Sequence, residues 1–339
     1  MRRAVALAGP WLLSGCATAQ TMSGGDGLDG ALFNRLFALF LIVSLTMLAL
    51  VLAFLAAAWF RRGGVRQDGV ADENGRASRE PLLRALLIGW TALIAIGLIG
   101  LTFASFLTDR GMADAIPPDR RTINIIVTAK QFWWDVNYAF DNEPSKNIRT
   151  ANELHLPVGV PARVTLKSSD VIHSFWIPNL AGKQDLIPGR VNDLVLLPNR
   201  TGVFRGQCAE FCGIQHAHMA LDVTVESRAQ FANWLAAQGK PAPAPASPLQ
   251  KAGYLYVMNR ECSGCHAIAG TAANATVGPD LTHLMSRRSL AAGTLPMGRA
   301  GLYAWVADPQ GVKPGNNMPY VGLDANELHA VTAYLETLK

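Results

Sequence analysis

The sequence predicts a multidomain membrane protein built from a two-helix transmembrane hairpin, an all-β sandwich and an all-α C-terminal domain. Two long uncharged segments within residues 31–108 indicate the hairpin. Short β-branched segments separated by Pro and Gly, within residues 117–227, indicate the sandwich. A Pro-Ala segment at residues 238–250 is typical of an extended linker, which leaves residues 251–339 for a separate helical domain.

Composition agrees with a membrane protein. Of the 339 residues, 50% are hydrophobic and 16% are charged, and the apolar excess lies in the two N-terminal segments. The formal net charge is +5. No Lys/Arg-rich run with interleaved aromatic residues occurs, so we expect no nucleic-acid partner.

Residues 1–16 have the features of an export signal. Arg2 and Arg3 precede an apolar stretch, residues 4–13, that is too short to cross a bilayer. The stretch ends in Leu-Ser-Gly-Cys, which resembles a bacterial lipoprotein cleavage box. This resemblance implies cleavage before Cys16 and lipidation of its thiol. An ordinary signal peptide cut near Ala19 is the alternative.

Two membrane-spanning helices are predicted at about residues 36–60 and 85–107, because neither segment holds a charged residue and about 20 apolar residues cross the hydrocarbon core. Arginines lie between or beside them, at Arg61, Arg62, Arg66, Arg76, Arg79 and Arg84. The positive-inside rule places this loop in the cytoplasm. Both soluble domains are then expected on the periplasmic side of a bacterial inner membrane.

The β-sandwich prediction rests on strand-like segments at residues 122–128, 163–167, 191–197 and 221–225. Its chemistry lies in the loop of residues 208–219, which carries two thiols, an imidazole and a thioether. His173 supplies a further imidazole. Such soft to intermediate ligands suit copper. A mononuclear blue-copper site uses a single Cys, so the second thiol leaves room for a second copper, with a zinc site or buried thiols as the alternatives.

The loop resembles the binuclear copper loop, called CuA, of cytochrome c oxidase subunit II, with the pattern C-x-E-x-C-x-x-x-H-x-x-M. A cupredoxin-like fold is implied. The family's ligand roles fall on bridging Cys208 and Cys212, on the capping His173 and His216, and on the axial Met219 and backbone carbonyl of Glu210. The resemblance also implies that the Glu210 side chain reaches a magnesium ion at the interface with subunit I.

Two positions depart from the family's pattern. The aromatic stretch that receives electrons usually begins Gln-Trp, whereas Phe132 precedes Trp133 here. This departure argues against docking of a soluble cytochrome at that point. A donor tethered to this chain would not need the same entry surface. In the second span, Leu87 stands where many relatives carry a Glu at a proton-channel mouth. Glu80 lies about two helical turns earlier.

The C-terminal segment holds Cys262-Ser263-Gly264-Cys265-His266, a C-x-x-C-H motif that predicts two haem thioethers and an axial histidine. A zinc ribbon or a redox C-x-x-C is the alternative. By resemblance to class I cytochromes c, Met318 is the expected sixth ligand and Met297 its rival. Residues 278–281 resemble the turn that covers the proximal side of the haem in that family.

The remaining histidines have no motif around them. We expect His155, His283 and His329 to be ordinary polar residues, and His218 to lie beside the copper ligands without being one.

The order of segments resembles the caa-type oxidases. That resemblance implies electron entry on the fused haem c from cytochrome c or a cytochrome bc complex. Transfer then runs through CuA to subunit I, which reduces oxygen to water and pumps protons, with subunit III as a further partner. No catalytic residue is expected on this chain. A CuA-containing nitric-oxide reductase subunit and a non-enzymatic, membrane-anchored copper-binding protein are the alternatives.

Overall fold

The computed structural model describes residues 19–61, 73–114, 122–140 and 143–339. They form two units. One comprises the described residues of Met1–Gly30 and Pro118–Lys339, and the other those of Ala31–Pro117. The expected signal peptide, Cys16 and the arginines Arg62 and Arg66 lie outside the described residues.

Two helices, α1 (Leu28–Arg61) and α2 (Glu73–Asp114), are each long and apolar enough to cross a membrane. They extend beyond the predicted spans of 36–60 and 85–107 at both ends. Backbone hydrogen bonding continues into flanking polar residues, while the sequence rule counts only the apolar ones. On α2, Leu87 is largely exposed.

The β-sandwich consists of two five-stranded sheets. The first has the strand order β3-β2-β1-β5-β8, with strands Ile148–Ala151, Trp133–Ala139, Ile123–Lys130, Ala162–Ser168 and Asn192–Leu196. The second has the order β4-β10-β9-β6-β7, with strands Glu153–Pro157, Ala220–Glu226, Gly202–Cys208, His173–Trp176 and Gln184–Leu186. Two pairs are parallel, β1 with β5 and β4 with β10, and the other pairs are antiparallel.

The core of the sandwich follows from the two-residue period of the strands. On β1, Ile125, Val127 and Ala129 point inward and are fully buried or nearly so, while their neighbours are half-buried. Trp134 and Tyr138 occupy the equivalent inward positions on β2. These side chains meet those of the second sheet in one core, next to the loop of residues 208–219.

A helix that the sequence did not predict, α3 (Arg228–Gln238), closes one end of the sandwich. It begins at a capping box formed by Ser227 and Gln230. Trp234 on this helix stacks on His155, with ring centroids 4.1 Å apart. The His155 Nδ1 atom lies 3.0 Å from Glu226 Oε1, so this histidine is a structural part of the sandwich.

The C-terminal domain is mainly helical, with α4 (Pro248–Asn259), α5 (Cys262–Cys265), α6 (Arg299–Ala307), α7 (Pro309–Val312) and α8 (Ala325–Leu335). A short hairpin is formed by two strands of two residues each, β11 (Ser289–Leu290) and β12 (Leu295–Pro296). Helices α4 and α8 pack closely at Gly253, where an added Cβ would lie 1.9 Å from the Ala330 carbonyl oxygen. Only glycine permits this crossing.

The segment predicted as an extended linker is shorter than 238–250, because α3 ends at Gln238 and α4 begins at Pro248. It also lies against the C-terminal domain. The Ala242 N–H donates to the Ala269 carbonyl at 2.9 Å, and His283 Nε2 lies 3.0 Å from the Lys240 carbonyl. His283 thus contacts the linker as well as the C-terminus, at Lys339.

Candidate metal centre and haem cavity

The candidate metal centre lies in the loop between β9 and β10. Cys208 ends β9, and its N–H donates to the Met219 carbonyl at 3.0 Å, so the two ends of the loop are joined at its base. His173 begins β6, which pairs with β9. Sheet pairing therefore brings residue 173 to the loop across a sequence separation that no local motif could bridge.

The ligand atoms are close together and mostly buried. The Cys208 Sγ atom lies 3.8 Å from His173 Nδ1 and 3.8 Å from Cys212 Sγ. The Cys212 Sγ atom lies 3.7 Å from His216 Nδ1 and 3.9 Å from Met219 Sδ. Cys208 Sγ also lies 3.2 Å from the carbonyl oxygen of Glu210, whose side chain is exposed. All six predicted ligands are thus brought together.

These separations fit shared metal ions. With bonds of about 2.0–2.3 Å, two ligand atoms on one tetrahedral or trigonal metal lie about 3.3–4.0 Å apart. The sulfur of Met219 completes a donor set of thiols, imidazoles and a thioether. Structural zinc sites use Cys and His rather than Met, whereas copper accepts a thioether. The chemistry of the donor set therefore fits copper.

Electrostatics favours ionisation in the thiol pair. Hydrogen bonding from the Cys212 thiol lowers the pKa of Cys208, with His173 acting in the same direction. The neighbouring Cys208 sulfur in turn raises the pKa of Cys212. These shifts favour an ionised Cys208 beside a protonated Cys212, and a bound cation would favour loss of the remaining proton.

Asp170 is a site residue that the sequence did not single out. Its Oδ1 atom accepts from His173 Nε2–H at 2.8 Å, which leaves Nδ1 free to face the sulfurs. Its Oδ2 atom accepts from the Gln131 N–H at 2.6 Å. Metal-binding histidines are commonly oriented by such a carboxylate. Its position three residues before His173 was the available signal.

The second site is a mainly apolar cavity of about 400 Å³ in the C-terminal domain. Cys262, Cys265, His266 and Met318 all line it. The His266 Nδ1–H donates to the Pro279 carbonyl at 2.7 Å, which leaves Nε2 as the ring nitrogen available for a ligand bond. Burial lowers the pKa of His266, which favours the neutral form of the ring, the form that can bind a metal. An apolar cavity with paired thiols and an oriented imidazole fits a covalent haem.

The rival methionine is placed elsewhere. Met297 packs against the apolar core of the C-terminal domain and does not line the cavity. The Met318 backbone is held by two hydrogen bonds, from Gln310 Nε2–H to its carbonyl at 2.8 Å and from its N–H to Asn316 Oδ1 at 2.7 Å.

Of the two predicted electron-entry residues, Phe132 contacts both the copper loop and the haem cavity. Phe132 is 5% exposed and packs on the copper loop, where a Cβ added at Gly213 would lie 3.0 Å from its ring. Gln131 Nε2–H donates to the Cys212 carbonyl at 2.5 Å. Phe132 and Trp133 both line the haem cavity, so the β-sandwich forms part of its wall.

His218 does not contact the sulfurs. It is exposed, and its Nδ1 atom lies 2.9 Å from Gln215 Oε1.

Comparisons with known proteins agree with this arrangement. Residues 131–227 match the family "Cytochrome C oxidase subunit II, periplasmic domain", and residues 250–339 match the family "Cytochrome c". Cytochrome c oxidase subunit 2 of Alkalihalophilus pseudofirmus is 30% identical over 96% of this chain and 94% of its own. The same subunit of Bacillus sp. PS3 is 34% identical over 75% of this chain and 74% of its own. That of Bacillus subtilis is 29% identical over 97% of this chain and 95% of its own.

Fold, site and similarity define an electron-transfer protein with a cupredoxin-like copper domain and a fused cytochrome c domain. The chain belongs to the cytochrome c oxidase subunit 2 family.

Proposed function

We propose that this chain is the electron-entry subunit of a haem–copper terminal oxidase. In this proposal it accepts electrons on its fused haem c and passes them through binuclear CuA to subunit I. Oxygen is reduced to water there, coupled to proton translocation. One observation carries the proposal: Phe132 lies against the copper loop and also lines the haem cavity.

The predicted copper ligands form two groups, one around each cysteine sulfur. His173 lies beside Cys208, and His216 lies beside Cys212, so each imidazole would cap one copper of a thiolate-bridged pair. Met219 and the Glu210 carbonyl would be the weak axial ligands. When bound, such a copper pair shares one electron and so exchanges it with little change in geometry. Asp170 keeps the His173 ring in the orientation that ligation needs.

Two of the predicted haem-binding residues would attach the haem covalently, and two would coordinate its iron. Cys262 and Cys265 would form the thioethers, with His266 and Met318 as axial ligands. The Pro279 carbonyl holds His266 in one tautomer. The mainly apolar lining of the cavity suits a haem, and Met/His ligation favours a high potential suited to accepting electrons.

Partners and location complete the proposal. The helices α1 and α2 would anchor the chain in a bacterial inner membrane, with both soluble domains on the periplasmic side. Subunits I and III would be its partners, and cytochrome c or a cytochrome bc complex its donor. Glu210, whose side chain is exposed, would reach magnesium at the subunit I interface. Lipidation of Cys16 would add a second anchor.

The experiment is purification of the detergent-extracted complex, followed by reduced-minus-oxidised spectra, copper EPR and gas-consumption assays. We expect haem c, a mixed-valent copper signal, co-purifying a-type haem and oxygen consumption. Consumption of nitric oxide without a-type haem would assign the chain to a nitric-oxide reductase. Copper in the purified protein without any co-purifying haem enzyme would support the alternative of a stand-alone copper-binding protein.

A further inference from the structure

One buried lysine stands apart from both sets of predicted ligands. Lys313 is 2% exposed although it lies between the end of α7 and an exposed turn at Pro314 and Gly315. Its Nζ atom donates to three backbone carbonyls, of Phe132 at 2.9 Å, His218 at 2.8 Å and Ala291 at 2.7 Å. An ammonium has one N–H for each of these acceptors. Such complete pairing is what a buried cation requires.

The three acceptors belong to three different segments. Phe132 lies in the aromatic turn beside the copper loop, and His218 lies in the copper loop itself. Ala291 lies in the turn between β11 and β12 of the haem domain. Lys313 is five residues before Met318 and lines the haem cavity. One side chain therefore joins the segment that carries the predicted haem ligand to the loop that carries the predicted copper ligands.

Other contacts surround this junction. Gln215 Nε2–H donates to the Pro314 carbonyl at 2.9 Å, and Asn317 Nδ2–H donates to the Gln131 carbonyl at 3.1 Å. The Ala220 N–H donates to the Ala292 carbonyl at 3.0 Å. Each of these bonds joins one pair of segments, whereas Lys313 joins three at once.

The pairing does not depend on charge alone. Burial lowers the pKa of Lys313 to about 7, and the neutral amine still has two N–H donors. A side chain without N–H groups would leave all three carbonyls without this partner. Loss of a single hydrogen bond of typical net strength shifts a conformational equilibrium by up to about tenfold.

We propose that Lys313 is a positioning residue for electron transfer, which docks the haem domain on the copper loop and so fixes the distance between the two sites. The electron-transfer part rests on the proposed function. Electron tunnelling slows steeply with distance, so loosening this junction slows transfer without removing either cofactor. The docking itself is a property of this chain's own residues and can be measured separately.

The test compares Lys313→Met with Lys251→Met in the intact complex. Lys251 is an exposed lysine of the same domain, so its variant removes an equal charge and no buried hydrogen bond. Two readouts are measured: amide hydrogen exchange in the peptide containing Ala220, and the rate of copper reduction after photochemical reduction of haem c. Haem and copper contents are measured in both variants.

We expect Lys313→Met to keep both cofactors, to exchange the Ala220 amide about tenfold faster and to slow haem-to-copper transfer. Lys251→Met should match the wild type in every readout. Unchanged exchange and rate in Lys313→Met would overturn the proposal, as would an unprotected Ala220 amide in the wild type. Loss of either cofactor would also count against it, because a positioning residue leaves both bound. A wild type without haem-to-copper transfer would refute the proposed function, while exchange still decides the docking.

Discussion

The sulfur atoms of Cys208 and Cys212 lie 3.8 Å apart, and each has its own histidine, His173 at 3.8 Å and His216 at 3.7 Å. This pairing gives the site two similar halves. A mononuclear site would need only one of these sulfurs. In the proposed function, each half would hold one of two copper ions that share both sulfurs.

Replacing one bridging sulfur should remove copper and leave haem. In Cys212→Ser the hydroxyl is a poor ligand for copper, so we expect loss of bound copper by elemental analysis with haem c retained by spectroscopy. Cys265→Ser is the reciprocal control and should weaken haem attachment while copper stays. Full copper in Cys212→Ser would show that the ligand assignment is wrong.

The Asp170 carboxylate, which orients His173, should affect copper affinity although it is not itself a predicted ligand. Asp170→Asn keeps an acceptor for the Gln131 N–H but removes the charge that holds His173. We expect copper affinity to fall by about 10–100-fold, measured by competition with a copper chelator. Asp193→Asn, at an exposed position of the same domain, should leave affinity unchanged. Equal affinities in the two variants would argue against this role.

The two candidate axial methionines should behave differently. Met318→Leu removes a sulfur from the haem cavity, so we expect the haem midpoint potential to fall by on the order of 0.1 V, a fraction of the roughly 0.8 V that axial ligands span. Met297→Leu changes a packing residue and should leave the potential close to that of the wild type. The opposite result in redox titrations would exchange their roles.

Stability should depend on pH through Glu153 and His155. Burial opposes both charges. Even so, the charges and hydrogen bonds of Glu153 and Glu226 raise the pKa of His155 above 6.5, and His155 and Arg287 hold the pKa of Glu153 below 4.5. The His155 contribution is complete below pH 6.5 and is lost as pH rises through the folded pKa. The Glu153 contribution is complete above pH 4.5 and is lost as pH falls.

Thermal unfolding across pH, compared between the wild type and His155→Gln, isolates this effect. We expect the difference in melting temperature to be largest between about pH 4.5 and 6.5 and to shrink at higher pH. A difference that grows with rising pH would contradict the assigned direction.

The helix crossing at Gly253 should not tolerate a methyl group. Gly253→Ala places a Cβ against the Ala330 carbonyl, so we expect a loss of about 1–3 kcal/mol in unfolding free energy. Gly239→Ala is the control, since the nearest atom to its Cβ lies 3.8 Å away. Chemical denaturation followed by haem absorbance measures both. Equal stability in the two variants would show that α4 and α8 can move apart freely.

The sequence predicts the fold class because the uncharged spans, the β-branched strand segments and the C-terminal segment differ in residue pattern. Pro, Gly and Pro-Ala segments mark the boundaries between them. It also predicts the candidate ligands that lie within one motif, such as Cys208 to Met219, since their chemistry is local. It misses Asp170, whose role depends on the geometry of His173, and Lys313, whose partners lie in three distant segments. The capping box of Ser227 and Gln230 was visible in the sequence, and α3 could have been predicted from it.

The most direct test of electron entry follows haem c oxidation in the fully reduced, purified complex after rapid mixing with oxygen. In the wild type we expect haem c to be oxidised as oxygen is consumed. In Cys212→Ser we expect haem c to stay reduced, because its route to the partner subunit is interrupted. Oxidation of haem c at the wild-type rate in that variant would show that electrons bypass the copper site.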